Sequence, residues 1–289
     1  MTEILAGTPA GGGQDRAARA FAAAWGEDVT VTNIPGRGGG EAWDALAGRR
    51  GDADVAAISS PTIITNKLLG VADIDHRDLT PIAQLCTEHL AFVVAARSPI
   101  ATPQQLLDAI ISNQVTVALA VARGNINHMA LGAVIRHGGG DPLLVEPKVY
   151  DSARYAVADV LAGGADLAVV SAASAVEELG VGSLRAIATS SGARLSTPFD
   201  HAPTWAEAGV DCVIGTWRGL VAPPGLSDAE IGAWDRAVHA TVGTESWRES
   251  IAAHRWTPTY LDAAETRAFL AAQRTTLRNG LVDLGMFGP

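Results

Sequence analysis

Ile4-Leu5-Ala6-Gly7-Thr8-Pro9-Ala10-Gly11-Gly12-Gly13-Gln14-Asp15 opens as a short apolar run and breaks into a glycine-rich turn. Beyond it, Ala17, Ala18, Ala20, Phe21, Ala24 and Trp25 recur at helical spacing. The stretch therefore reads as strand, turn, helix. Gly11, Gly12 and Gly13 carry no Cβ, so a ligand can approach their backbone closely. A helix start offers free N–H groups and about half a positive charge. Asp15 is placed to cap that helix through its carboxylate. With Pro9 and Ala10, these residues form a candidate cradle for a carboxylate or phosphate. An ordinary tight strand-to-helix turn carries the same signature.

The rhythm repeats along the chain. Val29 to Ile34 alternates as a strand, breaks at Pro35-Gly36, and a helix can start after Glu41. Asp54–Ile58 is a strand ending at Ser59-Ser60-Pro61, and Leu90 to Ala96 reads as a buried strand. Thr102-Pro103-Gln104-Gln105 is a helix start, with Thr as cap and Pro in the first turn. Strands are expected at Val115–Leu119, Leu167–Val170, Leu184–Ala188 and Trp217–Ala222. Helices are expected at Asn127–His137 and before Gly163-Gly164. After Pro223-Pro224-Gly225 the pattern reads as wholly helical, with starts at Ser227-x-x-Glu230 and Asp262-x-x-Glu265. Alternating strands and helices predict an α/β fold with mostly parallel sheets, one per half. No floppy tether separates the halves, so continuous strands should join them.

A second loop has the setting of the first. Ala122-Arg123-Gly124-Asn125-Ile126-Asn127-His128 follows a strand and precedes a helix. Arg123, Gly124, Asn125, Asn127 and His128 are ligand candidates. A capped loop with a surface Arg and a satisfied His is the plainer alternative. Ligands of α/β sheets bind at the carboxyl ends of strands, so the two loops are expected to face each other across a cleft. Ser59, Ser60 and Ser171 also follow strands. They are candidate donors, and turn or cap roles fit them equally.

Composition narrows the classes. Hydrophobic residues make up 48% and charged residues 18%, enough for a sizeable core. A net charge of −10 argues against nucleic acid or an anionic membrane as partner. It does not exclude an anion held by backbone N–H groups. No window reaches the ~18 apolar residues of a membrane helix, so no direct membrane insertion is expected. Cys86 and Cys212 are too far apart for a metal motif and read as buried thiols. No His-x-x-x-His pair, GK[ST] loop or G-x-S-x-G elbow occurs. No cofactor and no metal are expected. Met1 lies only two residues from the first strand, so no leader is expected in this chain. Its location is extracytoplasmic if a leader has been removed, and cytoplasmic if Met1 is the natural start.

From Ile4 to about Met286 the chain resembles the tripartite tricarboxylate transporter receptors, the Bug or TctC-type solute-binding proteins. Pro9 to Asp15 is similar to the family's first ligand loop. Asn33-Ile34-Pro35-Gly36-Arg37-Gly38-Gly39 and Pro203-Thr204-Trp205-Ala206-Glu207-Ala208-Gly209 match two of its signatures. Gly124 to His128 lies where its second ligand loop is expected. Trp217 to Pro223 resembles the strand returning to the first lobe. The second loop departs from the family in Arg123 and Asn125, and Val149-Tyr150-Asp151 replaces the usual Tyr-Lys-Gly.

The resemblance implies a two-lobed, periplasmic-binding-protein-like flytrap of type II. Lobe 1 would span 1–98 and 219–289, and lobe 2 would span 99–218. It also implies a small carboxylate ligand pinned in the cleft by backbone groups of both loops and passed to membrane permease subunits. Arg123 would pair with a second carboxylate or point to solvent. The leading expectation is a non-catalytic binding protein. The alternative is a cytoplasmic lyase, hydrolase or isomerase acting on a small carboxylate, with Asp15 or His128 as acid or base. A third is a sensor that passes closure to a partner protein.

Overall fold

The computed structural model describes residues 2–26, 28–120 and 122–288. Met1, on which the leader expectation turns, lies outside them. The strands are β1 (Thr2–Ala6), β2 (Val29–Asn33), β3 (Val55–Ser59), β4 (Thr80–Ala95), β5 (Val117–Ala120), β6 (Lys148–Tyr150), β7 (Leu167–Ser171), β8 (Leu184–Thr189), β9 (Gly215–Ala222) and β10 (Thr257–Leu261). The chain divides into two compact units. One comprises Met1–Thr87 and Trp217–Asn279, the other Glu88–Thr216 and Gly280–Pro289. β4 begins in the first and ends in the second, so a continuous strand joins them.

In the first unit the sheet order is β2-β1-β3-β9-β4, with β10 added to β4. Strand β1 pairs in parallel with both β2 and β3. Helix Gly13–Trp25 lays Ala17, Ala18, Phe21 and Ala24 on this sheet, against Ile4, Ala6 and Ile58. Phe21 is fully buried and meets the edge of Trp247 at a centroid distance of 6.2 Å. Burying a side chain of that size stabilises by about 2–3 kcal/mol.

The second unit repeats the plan. Its order is β4-β7-β5-β6, with β8 also paired to β4. Here β5 takes the place of β1, and it pairs in parallel with β6 and β7. Ala156, Val157 and Val160 of helix Ala153–Ala162 pack with Ala118, Ala120, Ala168 and Val170.

Two expectations need correction. The sheets are parallel only in the β2-β1-β3 and β6-β5-β7 sets. β9 joins β3 antiparallel, and β7, β8 and β10 all join β4 antiparallel. Right-handed crossovers impose parallel pairing only where strand, helix and strand follow directly. The C-terminal region is not wholly helical, because β10 lies between helices Glu245–His254 and Ala263–Asp283. Pro258 obscures β10 in the sequence, and a register irregularity beside it lets the strand form despite the missing N–H. Among the described residues no helix is long and apolar enough to cross a membrane.

Candidate functional site

The first loop is built around Gly11 and Asp15. Helix Gly13–Trp25 has Gly12 as its cap residue, which has no side chain to offer. Thr8 does that work: its Oγ1 accepts the Asp15 N–H at 3.2 Å. Asp15 does not cap its own helix as expected. Its Oδ2 instead reaches back to accept the N–H of Gly11 at 2.8 Å. Gly11 has φ +79°, a left-handed conformation that glycine adopts without a Cβ penalty. Asp15 Oδ1 accepts from Asn33 Nδ2 at 2.8 Å and Arg19 Nε at 2.9 Å. Burial opposes ionisation of Asp15. The Gly11 N–H, the Asn33 amide and the Arg19 guanidinium outweigh it and hold the carboxyl below its ordinary range.

Three segments, at Gly7, Gly38 and Ser60, meet at this loop. Gln14 is buried; its Oε1 accepts the Gly7 N–H at 2.9 Å. Its Nε2 donates to Gly38 O at 3.3 Å and Ser60 Oγ at 3.4 Å. Ser60 Oγ lies 2.8 Å from Thr62 Oγ1, which donates to Gly38 O. A Cβ on Gly7 would sit 2.4 Å from the Gly39 Cα, so the two backbones touch. Ser59 is buried at the end of β3, in register with Gly219 of β9. Pro9, Ala10 and Gly11 are exposed, while Gly12 and Gly13 are half-buried.

The second loop has the same construction. Gly124, with φ +77°, donates its N–H to Nδ1 of His128 at 3.1 Å, four residues on. Asn125 caps helix Ile126–His137, its Oδ1 accepting the His128 N–H at 3.1 Å. Asn125 Nδ2 donates to Ala120 O at 2.7 Å, closing the loop onto β5. Asn127 Nδ2 donates to Val169 O at 2.8 Å, tying the helix start to β7. Burial, and then the Arg123 charge, push the His128 imidazole down to about 4, so it is neutral at physiological pH. Arg123 itself is half-exposed, with Nη2 3.6 Å from Glu146. Ser171, at the end of β7, has its Oγ 2.7 Å from Ser174 Oγ.

In each loop a glycine N–H is taken by the third helical residue, Asp15 or His128. In each the second helical residue ties the helix start down, Gln14 to Gly7, Gly38 and Ser60 and Asn127 to Val169 of β7. What remains is the backbone N–H of the first two helical residues: Gly13 and Gln14 in one unit, Ile126 and Asn127 in the other. None of the four has a hydrogen-bond partner among the described residues. Paired N–H groups at a helix start are an anion-binding arrangement. Thr8, Gln14 and Asn33 were not sequence candidates for the site, because their roles depend on contacts distant in sequence. The glycine four residues before Asp15 and before His128 was the signal that could have linked the loops. Among the described residues no three His, Cys, Asp or Glu side chains converge as a metal site.

The profile of the tripartite tricarboxylate transporter family receptors matches residues 14–282. The chain belongs to that family. Protein BugT of Bordetella pertussis (strain Tohama I) is 27% identical over 279 residues, covering 93% of this chain and 84% of BugT. The crystal structure of a TctC solute-binding protein from Polaromonas is 26% identical, covers 98% of both chains and has a TM-score of 0.76. A structure of an R. palustris protein with adipate has a TM-score of 0.87 at 21% identity, covering 99% of this chain and 97% of that one. The two-lobed fold of solute-binding proteins is thus the fold of this receptor. Membership makes the chain a receptor rather than an enzyme.

Proposed function

We propose that this receptor captures a small organic acid for a tripartite tricarboxylate-type membrane transporter. On this reading each loop offers a carboxylate the paired N–H groups of its helix start, Gly13 and Gln14 in one unit and Ile126 and Asn127 in the other. The carrying observation is that both loops leave the same pair of N–H groups without a partner among the described residues, while the third helical residue of each takes the glycine N–H instead. Each helix start adds about half a positive charge. The net charge of −10 is no obstacle, because backbone dipoles rather than a basic patch supply the attraction. The adipate held by the R. palustris protein of the same fold supports an acid of that size. Lobe boundaries near 98 and 219 and an extracytoplasmic place of work belong to the same proposal. Arg123, half-exposed beside Glu146, would meet a second carboxylate by leaving that weak pair.

A thermal-shift panel of mono-, di- and tricarboxylates and aromatic acids tests it. A ligand at ~100 times its dissociation constant should stabilise the native state by ~2.7 kcal/mol. A hit recovered chemically unchanged supports the proposal. A panel without a hit rejects the carboxylate assignment, and a hit that is consumed rejects the binding-only role.

A further inference from the structure

We infer that the second loop reads its ligand with an uncharged imidazole fixed in one tautomer, His128 presenting Nε2–H as a donor, so that the ligand group beside it is an acceptor oxygen and never an ammonium. The inference rests on the ligand reading above for the identity of what is bound, but its structural part stands alone. The Gly124 N–H points at Nδ1 at 3.1 Å in a buried setting. That nitrogen must therefore carry a lone pair, and in a neutral ring the proton lies on Nε2. A doubly protonated ring would set two hydrogens against each other along this line and strand a buried N–H.

The ring is held by burial and by the Gly124 N–H on Nδ1. The backbone on both sides of that bond is set, the His128 N–H by Asn125 Oδ1 and Gly124 by its left-handed turn. His128 is only 7% exposed, and its Nε2 has no hydrogen-bond partner among the described residues. The charge acting on it is Arg123 of its own loop, and Glu146 faces that guanidinium at 3.6 Å. Asn125 and Asn127 each spend a donor on the backbone, and Arg123 is half-exposed beside Glu146. His128 Nε2–H is thus a buried donor of this loop with no partner among the described residues. A diacid, oxo acid or hydroxy acid satisfies it; an amino acid with its ammonium at that end does not.

The test is a long-range 1H–15N spectrum of the full chain labelled at histidine. From pH 5 to 8 the ligand-free protein should show His128 as the neutral Nε2–H form. Titration in that interval, or a proton on Nδ1, overturns the inference. Adding adipate should shift the Nε2–H signal, and adipate that stabilises the protein while leaving this signal in place also overturns it. His128→Asn keeps an acceptor where Nδ1 sits and deletes the donor. It should melt with the wild type yet bind adipate roughly tenfold or more weakly, and full affinity would count against the donor role. The tautomer is read without ligand, so adipate that fails to bind the wild type counts against the carboxylate reading and not against the fixed imidazole.

Discussion

The loops at Gly11–Asp15 and Gly124–His128 solve one problem with different chemistry. Both must hold a strand-to-helix turn open while leaving the first two helical N–H groups free. The first uses a carboxylate, which needs Arg19 and Asn33 to offset its charge. The second uses a neutral imidazole, which needs burial but no counter-ion. An anion at the first loop therefore meets a helix start whose field is partly cancelled by Asp15, itself neutralised by Arg19. An anion at the second meets a helix start with no negative side chain in its first turn, and Arg123 nearby. The geometry of the loop is set by the glycine and the residue four places on. The electrostatics are set separately, by which residue that is.

The largest expected effect breaks the support that the first loop draws from the Gly36–Gly40 segment. Gly7→Ala puts a Cβ 2.4 Å from the Gly39 backbone, where no side chain can move aside. It should cost about 3 kcal/mol or more, read by denaturant unfolding. Asp15→Ala comes next. It removes the acceptor of the Gly11 N–H and one of the two bonds of the Asn33 amide, which keeps Thr8 O, for about 1–2 kcal/mol, and should weaken ligand binding by loosening the loop. Unchanged affinity by calorimetry would remove Asp15 from the support of the site.

The two loops should also separate by pH. Both groups have folded pKa values below their unfolded ones, so each contributes stability that is present above the unfolded value and lost as pH falls. For His128 the loss runs from the ordinary 6.5 down to about 4; for Asp15 it starts only below the ordinary 3.8. Unfolding midpoints followed from pH 8 to 3 should show His128→Asn flattening the upper window and Asp15→Asn the lower. The smallest effect belongs to Arg123→Ala. An exposed pair of this length contributes below about 1 kcal/mol to stability. Diacids should lose more affinity than monoacids; equal losses would end the second-carboxylate role.

What the sequence revealed was local. The Thr102 cap, the Ser227–Glu230 capping box and the left-handed Gly163 helix end all form, because each depends on residues within one turn. The loops themselves were legible for the same reason. What stayed hidden depends on contacts far along the chain. β4 runs to sixteen residues although Glu88 and His89 interrupt its apolar pattern. β10 exists because β4 offers it an edge. Gln14 matters because Gly7, Gly38 and Ser60 converge on it from three segments. The Asn33-to-Gly39 signature marked the family, but its physical meaning, a backbone packed on the first loop, needed the fold.

The most direct test of the anion-binding helix starts is Gly13→Pro, with the carboxylate that stabilises the chain most in the thermal-shift panel. Proline suits a first helical position, and Gly12 before it is already extended, at φ −73° and ψ 167°. The substitution therefore deletes one N–H and little else. Calorimetry should show at least a roughly tenfold loss of affinity with an unchanged melting temperature. Full affinity in a folded Gly13→Pro protein would contradict the claim that the first loop holds its ligand through the helix-start amides.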